Sequence, residues 1–541
     1  MKKLLAILLA MVVLLSLVAC AAQNDAQTDT PAADVPQAEE PAADTSTVGA
    51  KVEEEIKEGA KYKEHIDMSV WSALKSVDPL IQTGAAIPMY NMYLNQLVNL
   101  DEVNNVFRPE LAENWELVDL QTYKFTLKKG IQFHNGEELK ASDVKFSFVD
   151  RPTTLDGVTA TFFQKIDNIE IVDDYNFIIH LNAPDPEYLY SLAEVKAAIF
   201  NQKACEASDE GYLVGTGGYK VNSWSVTDKM ELEKFDASWV WAEEGDTPTR
   251  TITMKCMSEG SIPAVQAGDI ANALCEREDA EGYLLADPNV DCYGFYTWNI
   301  WYIGLNQHEG SVFHDDHNLQ KAVVAAFDRN MMAEFYAGEY AKVPDSFFPD
   351  FMFGYTNEYE FAKYDLDAAQ KYLAASNYPD GNVTIRALCL TNANYTAQIT
   401  VLQSMLEANL GIKLDITQLD SAGRTAALAE GTSYDLYLFD DEAATYGSRQ
   451  SYRANPNDTF NNSAHYVNDE VVQLYADYLS TTDETVQKEK LARVQEIFAE
   501  DLVYVPYAYQ YCWVVTAKGV SGLDWRPSTA FDFHRVVWEE S

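Results

Sequence analysis

The chain has 541 residues, with 39 Lys+Arg against 84 Asp+Glu and a formal net charge of -45. So acidic a surface repels phosphate backbones, which excludes nucleic acid as a partner, and it offers no basic patch for docking on anionic lipid. The charge suits a soluble exported protein but names no ligand.

Residues 1–20 read MKKLLAILLAMVVLLSLVAC: Lys2 and Lys3 precede an apolar run, as in a secretory signal. Leu17-Val18-Ala19-Cys20 resembles a bacterial lipobox, which implies that Cys20 is acylated and becomes the mature N-terminus. The protein is then extracytoplasmic, lipid-anchored to the outer face of the cell membrane or periplasmic. A plain cleaved signal and a transmembrane helix are the alternatives; the stretch is short for a span and no second one follows. Residues 21–61 are rich in Ala, Pro, Asp, Gln and Thr and hold no aromatic, which predicts a disordered acidic tether. The remainder, about 480 residues, is too long for one typical core.

The globular part starts at 62. Residues 76–100, SVDPLIQTGAAIPMYNMYLNQLVNL, turn at Asp78-Pro79 and enter a helix carrying Met89, Met92, Tyr93 and Leu97. In residues 109–150, Tyr123, Phe125 and Leu127 alternate with Lys124, Thr126 and Lys128, a strand with one apolar face. Ile131 and Phe133 resume the alternation, and His134-Asn135-Gly136 makes a turn. Ser142 is expected to cap a helix in which Val144 and Phe148 share a face. Ile169 and Ile171, then Phe177, Ile179 and Leu181, predict two further strands around Asp173-Asp174.

PELAENW, the strand, the FHNG turn and the ASDVKFSF helix start resemble, in that order, the signature of the family 5 extracellular solute-binding proteins. These are receptor subunits of ABC importers for peptides, nickel and some sugars. Lys140 stands where the family usually has Thr, and Asn135 where it has Asp. The resemblance implies an α/β, periplasmic-binding-protein-like two-lobe fold of class II type, with an additional small lobe and a ligand cleft between the major lobes. The expected division is residues 62–101, 199–303 and 511–541 in lobe I, 102–198 in the small lobe and 304–510 in lobe III. It further implies an ABC permease and ATPase as partners, a monomer, and no cofactor. In peptide-binding members the loop after the Asp-Pro turn touches ligand, which puts Thr83, Gly84 and Ala85 at the cleft.

Further along, VGTGGYKVNSW (214–224) is similar to a family GTG followed by Pro-Tyr, with Gly218 in place of Pro. It lacks the third spaced Gly and the helix of a phosphate cradle. A strand (MELEKF) and a helix ending at Gly268-Asp269 follow. YGFYTWNIWYIGLNQ (293–307) resembles the strand that crosses between the lobes and ends in Asn306. Its imperfect alternation gives Trp301 or Tyr302 a ligand-facing role, against the commoner role of an aromatic cluster as core. Residues 312–332 predict a helix with Leu319, Val323 and Phe327, similar to a second family signature closing at Asp328-Arg329, with Gln320 where Arg is usual. His314 and His317 flank Asp315-Asp316, a pattern read as a helix cap and not a metal site. From 383 to 440, strands alternate with helices, as in an α/β lobe. Cys205, Cys256, Cys275, Cys292, Cys389 and Cys512 contain no C-x-x-C, which argues against a zinc cage. Cys275 and Cys292 are either a disulfide or buried thiols.

In peptide-binding relatives an Asp just after the YDLYLFD-type strand holds the peptide α-amino group. Here Phe439 is followed by Asp440, Asp441, Glu442, Ala443, Ala444, Thr445 and Tyr446, and Ala444 falls nearest the family Asp. The ligand contacts are therefore expected from Asp440, Asp441, Glu442 and Tyr446, with a solvated acidic loop as the alternative. An oligopeptide is the leading ligand. An oligosaccharide is second, motivated by 32 Tyr, 24 Phe and 10 Trp; nickel or haem has no His or Met constellation behind it. A secreted hydrolase is the competing class: Asp440 and Asp441 could suggest a glycosidase pair, but neighbouring acids on a strand face opposite ways, and the sequence has no H-E-x-x-H or G-x-S-x-G.

Overall fold

A computed structural model of the protein describes residues 50–52, 56–71, 75–81, 86–152, 161–226, 228–257, 259–359, 361, 363–442, 453–454 and 462–540. Cys20, Thr83, Gly84, Ala85 and Tyr446 lie outside the described residues. Within the stretch expected to be tether, Ala50–Val52 forms a strand antiparallel to Leu523–Trp525, whose edge supplies the backbone partners.

His65–Val70, Thr251–Cys256, Lys229–Lys234 and Tyr219–Trp224 form a four-stranded sheet in that order. Its first pair is parallel and the others antiparallel. Every second residue faces in: Ile66, Met68, Val70, Met230, Leu232, Ile252 and Met254 are all buried.

A second sheet, antiparallel throughout, orders Ala112–Asp119, Thr122–Leu127, Asn176–Leu181 and Ile166–Ile171. Tyr123, Phe125 and Leu127 make its buried face, and Phe125 stacks on Phe177 at 5.4 Å. The FHNG turn closes a single bridge, Gln132 to Glu138, and not a further strand pair. Gly136 there takes φ +84°, which only glycine adopts without strain. The next helix, Ala141–Lys145, is not capped by Ser142, because Lys140 already occupies the extended cap position. Asp143 serves instead: its carboxylate accepts the Lys140 and Gln202 N–H groups, both at 3.0 Å.

His134 ties this turn to the 215–218 run. Its Nδ1 accepts the Gly215 N–H at 3.2 Å, its Nε2 donates to Gly217 O at 3.2 Å, and its own N–H donates to Gly215 O at 2.9 Å. Both ring bonds are satisfied by the neutral Nε2–H tautomer. A Cβ on Gly215 would stand 1.8 Å from Tyr93 O, and one on Gly217 2.7 Å from Tyr93 Cα. These glycines serve a close backbone crossing.

The largest sheet has six strands: β1 (Asn272–Cys275), β2 (Val290–Leu305), β3 (Thr384–Leu390), β4 (Lys413–Leu419), β5 (Leu436–Glu442) and β6 (Tyr504–Ala517). Their spatial order is β1-β6-β2-β5-β3-β4. β3 runs parallel to β4 and β5, with α1 (Ala393–Leu410) and α2 (Ser421–Glu430) as the crossovers, the alternation read from the sequence. Asn392 and Asp420 cap these helices through the Tyr395 and Gly423 N–H groups. β2 and β6 pair antiparallel from Val290–Ala517 to Gly304–Tyr504, with a break between Tyr296 and Ile300. Along β2, Val290 and Phe295 belong to one hydrophobic cluster, Tyr296, Ile300 and Tyr302 to a second, and Trp301, Ile303 and Leu305 to a third.

Helix His317–Ala326 is capped as expected, Asp316 accepting Leu319 N–H at 2.9 Å. His314 Nδ1 lies 2.5 Å from Gln307 O, a structural bond within the turn. Cys275 and Cys292 are free thiols in this structure.

Candidate functional site

In open α/β sheets, ligands bind beyond the carboxyl ends of the parallel strands. Here those ends are Leu390, Leu419 and Glu442, and the helices that follow β3 and β4 begin beside them. Two opposed sets of contacts meet at β5. Its register with β2 places Trp301 opposite Asp440, and Ile300 opposite Asp441. Strand alternation then sends the two acids to opposite faces.

On one face Asp440 accepts a hydrogen bond from the Tyr395 hydroxyl of α1, and Gln510 Nε2 of β6 lies 3.4 Å from its other oxygen. Thr297 Oγ1 donates to Gln510 Oε1 at 2.8 Å. Trp301 meets the Tyr395 ring edge-on at 4.8 Å. Arg424, on α2, donates from Nη1 to Tyr395 Oη at 3.1 Å and sets its guanidinium 4.3 Å from the Phe439 ring centre. Burial pushes the Asp440 carboxyl above its ordinary value; the Tyr395 bond and the Arg424 charge oppose the shift.

On the other face Asp441 is ion-paired with Arg453, whose guanidinium is buried. Arg453 Nη1 donates to Tyr302 Oη at 3.1 Å, and Tyr504 Oη donates to Arg453 O at 2.8 Å. Tyr302 packs edge-on against Phe347 at 5.3 Å and Tyr437 at 6.0 Å. Asp441 thus has a cation of its own, while Asp440 shares its charge through a phenol. Glu442 closes β5 opposite Asn299.

Trp301 and Tyr302 are 2% and 0% exposed. Both rings lie in packed cores and neither lines open surface, because β2 carries a core on each side. The Asp78-Pro79 turn is held by Asp78 itself, which accepts Leu80 N–H at 2.8 Å and pairs with Arg151 at 2.7 Å. Arg151 is itself 1% exposed. Sequence reasoning missed Tyr395, Arg424, Arg453 and Gln510. The first two follow capping residues at the starts of α1 and α2, the one signal that placed them at the strand ends.

The family model for bacterial extracellular solute-binding proteins, family 5 (middle), matches residues 106–463. The glutathione-binding protein GsiB of Salmonella choleraesuis is 26% identical over 443 residues, 78% of this chain and 84% of that protein. Among solved structures, the ABC transporter substrate-binding protein CtaP of Listeria monocytogenes superposes with a TM-score of 0.78 at 19% identity, covering 89% of this chain and 100% of that one. The periplasmic binding protein DppA of Helicobacter pylori, in complex with the peptide STSA, superposes with a TM-score of 0.74 at 20% identity, covering 89% and 99%. The fold is accordingly the periplasmic-binding-protein-like, multi-lobe α/β fold expected from the sequence.

Proposed function

The chain belongs to the bacterial extracellular solute-binding proteins of family 5, and from that membership we propose that it is the capture subunit of an ABC importer for oligopeptides. It binds the peptide between its two major lobes and delivers it to a membrane permease driven by an ATPase. The observation that carries this reading is the convergence of Tyr395, Arg424, Asp440 and Gln510 at the carboxyl end of β5, beside the crossing strands β2 and β6. A peptide backbone offers donors and acceptors together, and this network links a guanidinium, a phenol, a carboxylate and an amide in one hydrogen-bonded chain.

In this reading the lobes divide where β2 and β6 cross, at 303/304 and 510/511, with residues 102–198 as the small lobe. In the same reading Thr83, Gly84, Ala85, Asp441, Glu442 and Tyr446 are further peptide contacts. Cys20 carries the lipid anchor, and the receptor works as a monomer. The reading assigns it no catalysis: Asp440 and Asp441 lie on opposite faces of β5, a poor arrangement for an acid/base pair. The sugar reading rests on the abundance of aromatic residues, and two of these on the crossing strand, Trp301 and Tyr302, are buried and offer no face for stacking.

Thermal shift of the mature chain against peptide and glycan libraries tests the proposal, because a ligand at a hundredfold its Kd adds about 2.7 kcal/mol. Stabilisation by peptides is expected; stabilisation by glycans alone overturns it, and hydrolysis of either library restores the enzyme. Acyl labelling that survives Cys20→Ser overturns the anchor.

A further inference from the structure

Arg424 stands apart in a chain of net charge -45. Among the described residues it makes no ion pair. Of the five N–H donors of its guanidinium, one bond is used, from Nη1 to Tyr395 Oη at 3.1 Å. Nε is buried without a hydrogen-bond partner, and no other bond is formed among the described residues. The plane is held in place all the same, 4.3 Å from the Phe439 ring centre and 5.6 Å from that of Tyr395. A guanidinium clamped on aromatic faces with its donor edge unspent is pre-organised for a planar oxyanion.

The backbone agrees. Arg424 is the fourth residue of α2, which spans Ser421–Glu430, so it sits at the helix end whose dipole favours an anion and disfavours a cation. The carboxylate nearest in the network, Asp440, is already bonded to Tyr395 and approached by Gln510. Its hydrogen-bond path to Arg424 runs through the phenol, with no direct bond between the two charges.

We propose that Arg424 is the anion-binding residue of the site, taking a carboxylate of the bound ligand, with Phe439 as its platform and Tyr395 as its positioning residue. This rests on the peptide reading above and narrows it: the peptides captured carry a free carboxylate next to α2. That group is either the peptide C-terminus or an acidic side chain, and the two sources share the same chemistry.

Three hexapeptide pools separate these cases: free C-termini without acidic side chains, C-terminal amides without acidic side chains, and C-terminal amides with one Glu. Affinities for the mature chain are read by native mass spectrometry. The first or third pool is expected to bind at least about tenfold tighter than the second, the size of one charge-assisted contact. The winning pool names the source. Arg424→Gln is expected to erase that preference, and Arg424→Lys, which keeps charge without the fork, to retain part of it. Equal binding of all three pools by the wild type, or a preference that survives in Arg424→Gln with an unchanged melting temperature, overturns the inference alone. If no pool binds, the peptide reading falls and takes this inference with it.

Discussion

The bond between His134 and the 215–217 backbone makes a quantitative statement about acid stability. Burial lowers the His134 imidazole from an ordinary value near 6.5 to about 4. The neutral ring is what the fold binds, accepting from Gly215 N–H and donating to Gly217 O, and the ring also stands edge-on to Phe235 at 5.1 Å. Protonation therefore favours the unfolded chain. The contribution is complete above pH 6.5 and is lost as the pH falls toward 4. A gap of roughly two and a half units, at about 1.36 kcal/mol per unit, is on the order of 3 kcal/mol. About 2 kcal/mol of that is lost between pH 7.5 and pH 5. His134→Gln keeps a donor and an acceptor but cannot titrate. Urea unfolding of both proteins at the two pH values should show the wild type losing about 2 kcal/mol more than the variant. Parallel losses, within a few tenths, would refute the burial argument.

Gly215→Ala should leave little folded protein, at a cost of about 3 kcal/mol or more, because its Cβ meets Tyr93 O at 1.8 Å; soluble expression with near-native melting contradicts this. Asp78→Ala removes the carboxylate that pairs with the buried Arg151 and should cost about 1.5–3 kcal/mol in urea melts, the range of a hydrogen bond to a charged group, with Asp78→Ala/Arg151→Met recovering part of it. Burial raises the Glu110 carboxyl to about 8, against hydrogen bonds from Asn95 and Gln96. The fold thus prefers the protonated acid, and that stability is lost as the pH rises through 8. Glu110→Gln should gain melting temperature on the wild type between pH 5 and pH 9, and a constant gap sinks the idea.

What could be read in advance divides along physical lines. The strand of Tyr123, Phe125 and Leu127 was legible because its sheet buries one face, so apolar and polar residues alternate. The β3-α1-β4-α2-β5 run was legible from its periods and from capping residues such as Asn392 and Asp420. β2 was not: with a core on each side, nothing in YTWNIWYIG tells inside from cleft, and Trp301 and Tyr302 went to two different cores. At the site, the acids after β5 stood out because they are contiguous. Tyr395 and Gln510 reach Asp440 from 45 and 70 positions away, and Arg424 reaches Tyr395 from 29, and no local pattern marks a contact made at such separations. Ser142 failed as a cap for a smaller reason, a one-turn competition that Asp143 won.

The gap in the β2–β6 ladder has a mechanical meaning. Between Tyr296 and Ile300 the cross-strand bonds stop, and Trp298 N–H turns to Pro527 O at 2.8 Å. A hydrogen-bonded ribbon resists twisting everywhere except where rungs are missing. The β2–β6 register shifts again between Trp301 and Tyr302, so torque applied to either end falls on these two places, the first of which holds Thr297. Its hydroxyl holds Gln510, and Gln510 reaches Asp440. The compliant line of the sheet and the charged end of β5 are thus connected by two side-chain contacts, so strain at one is felt at the other without a separate linker between them.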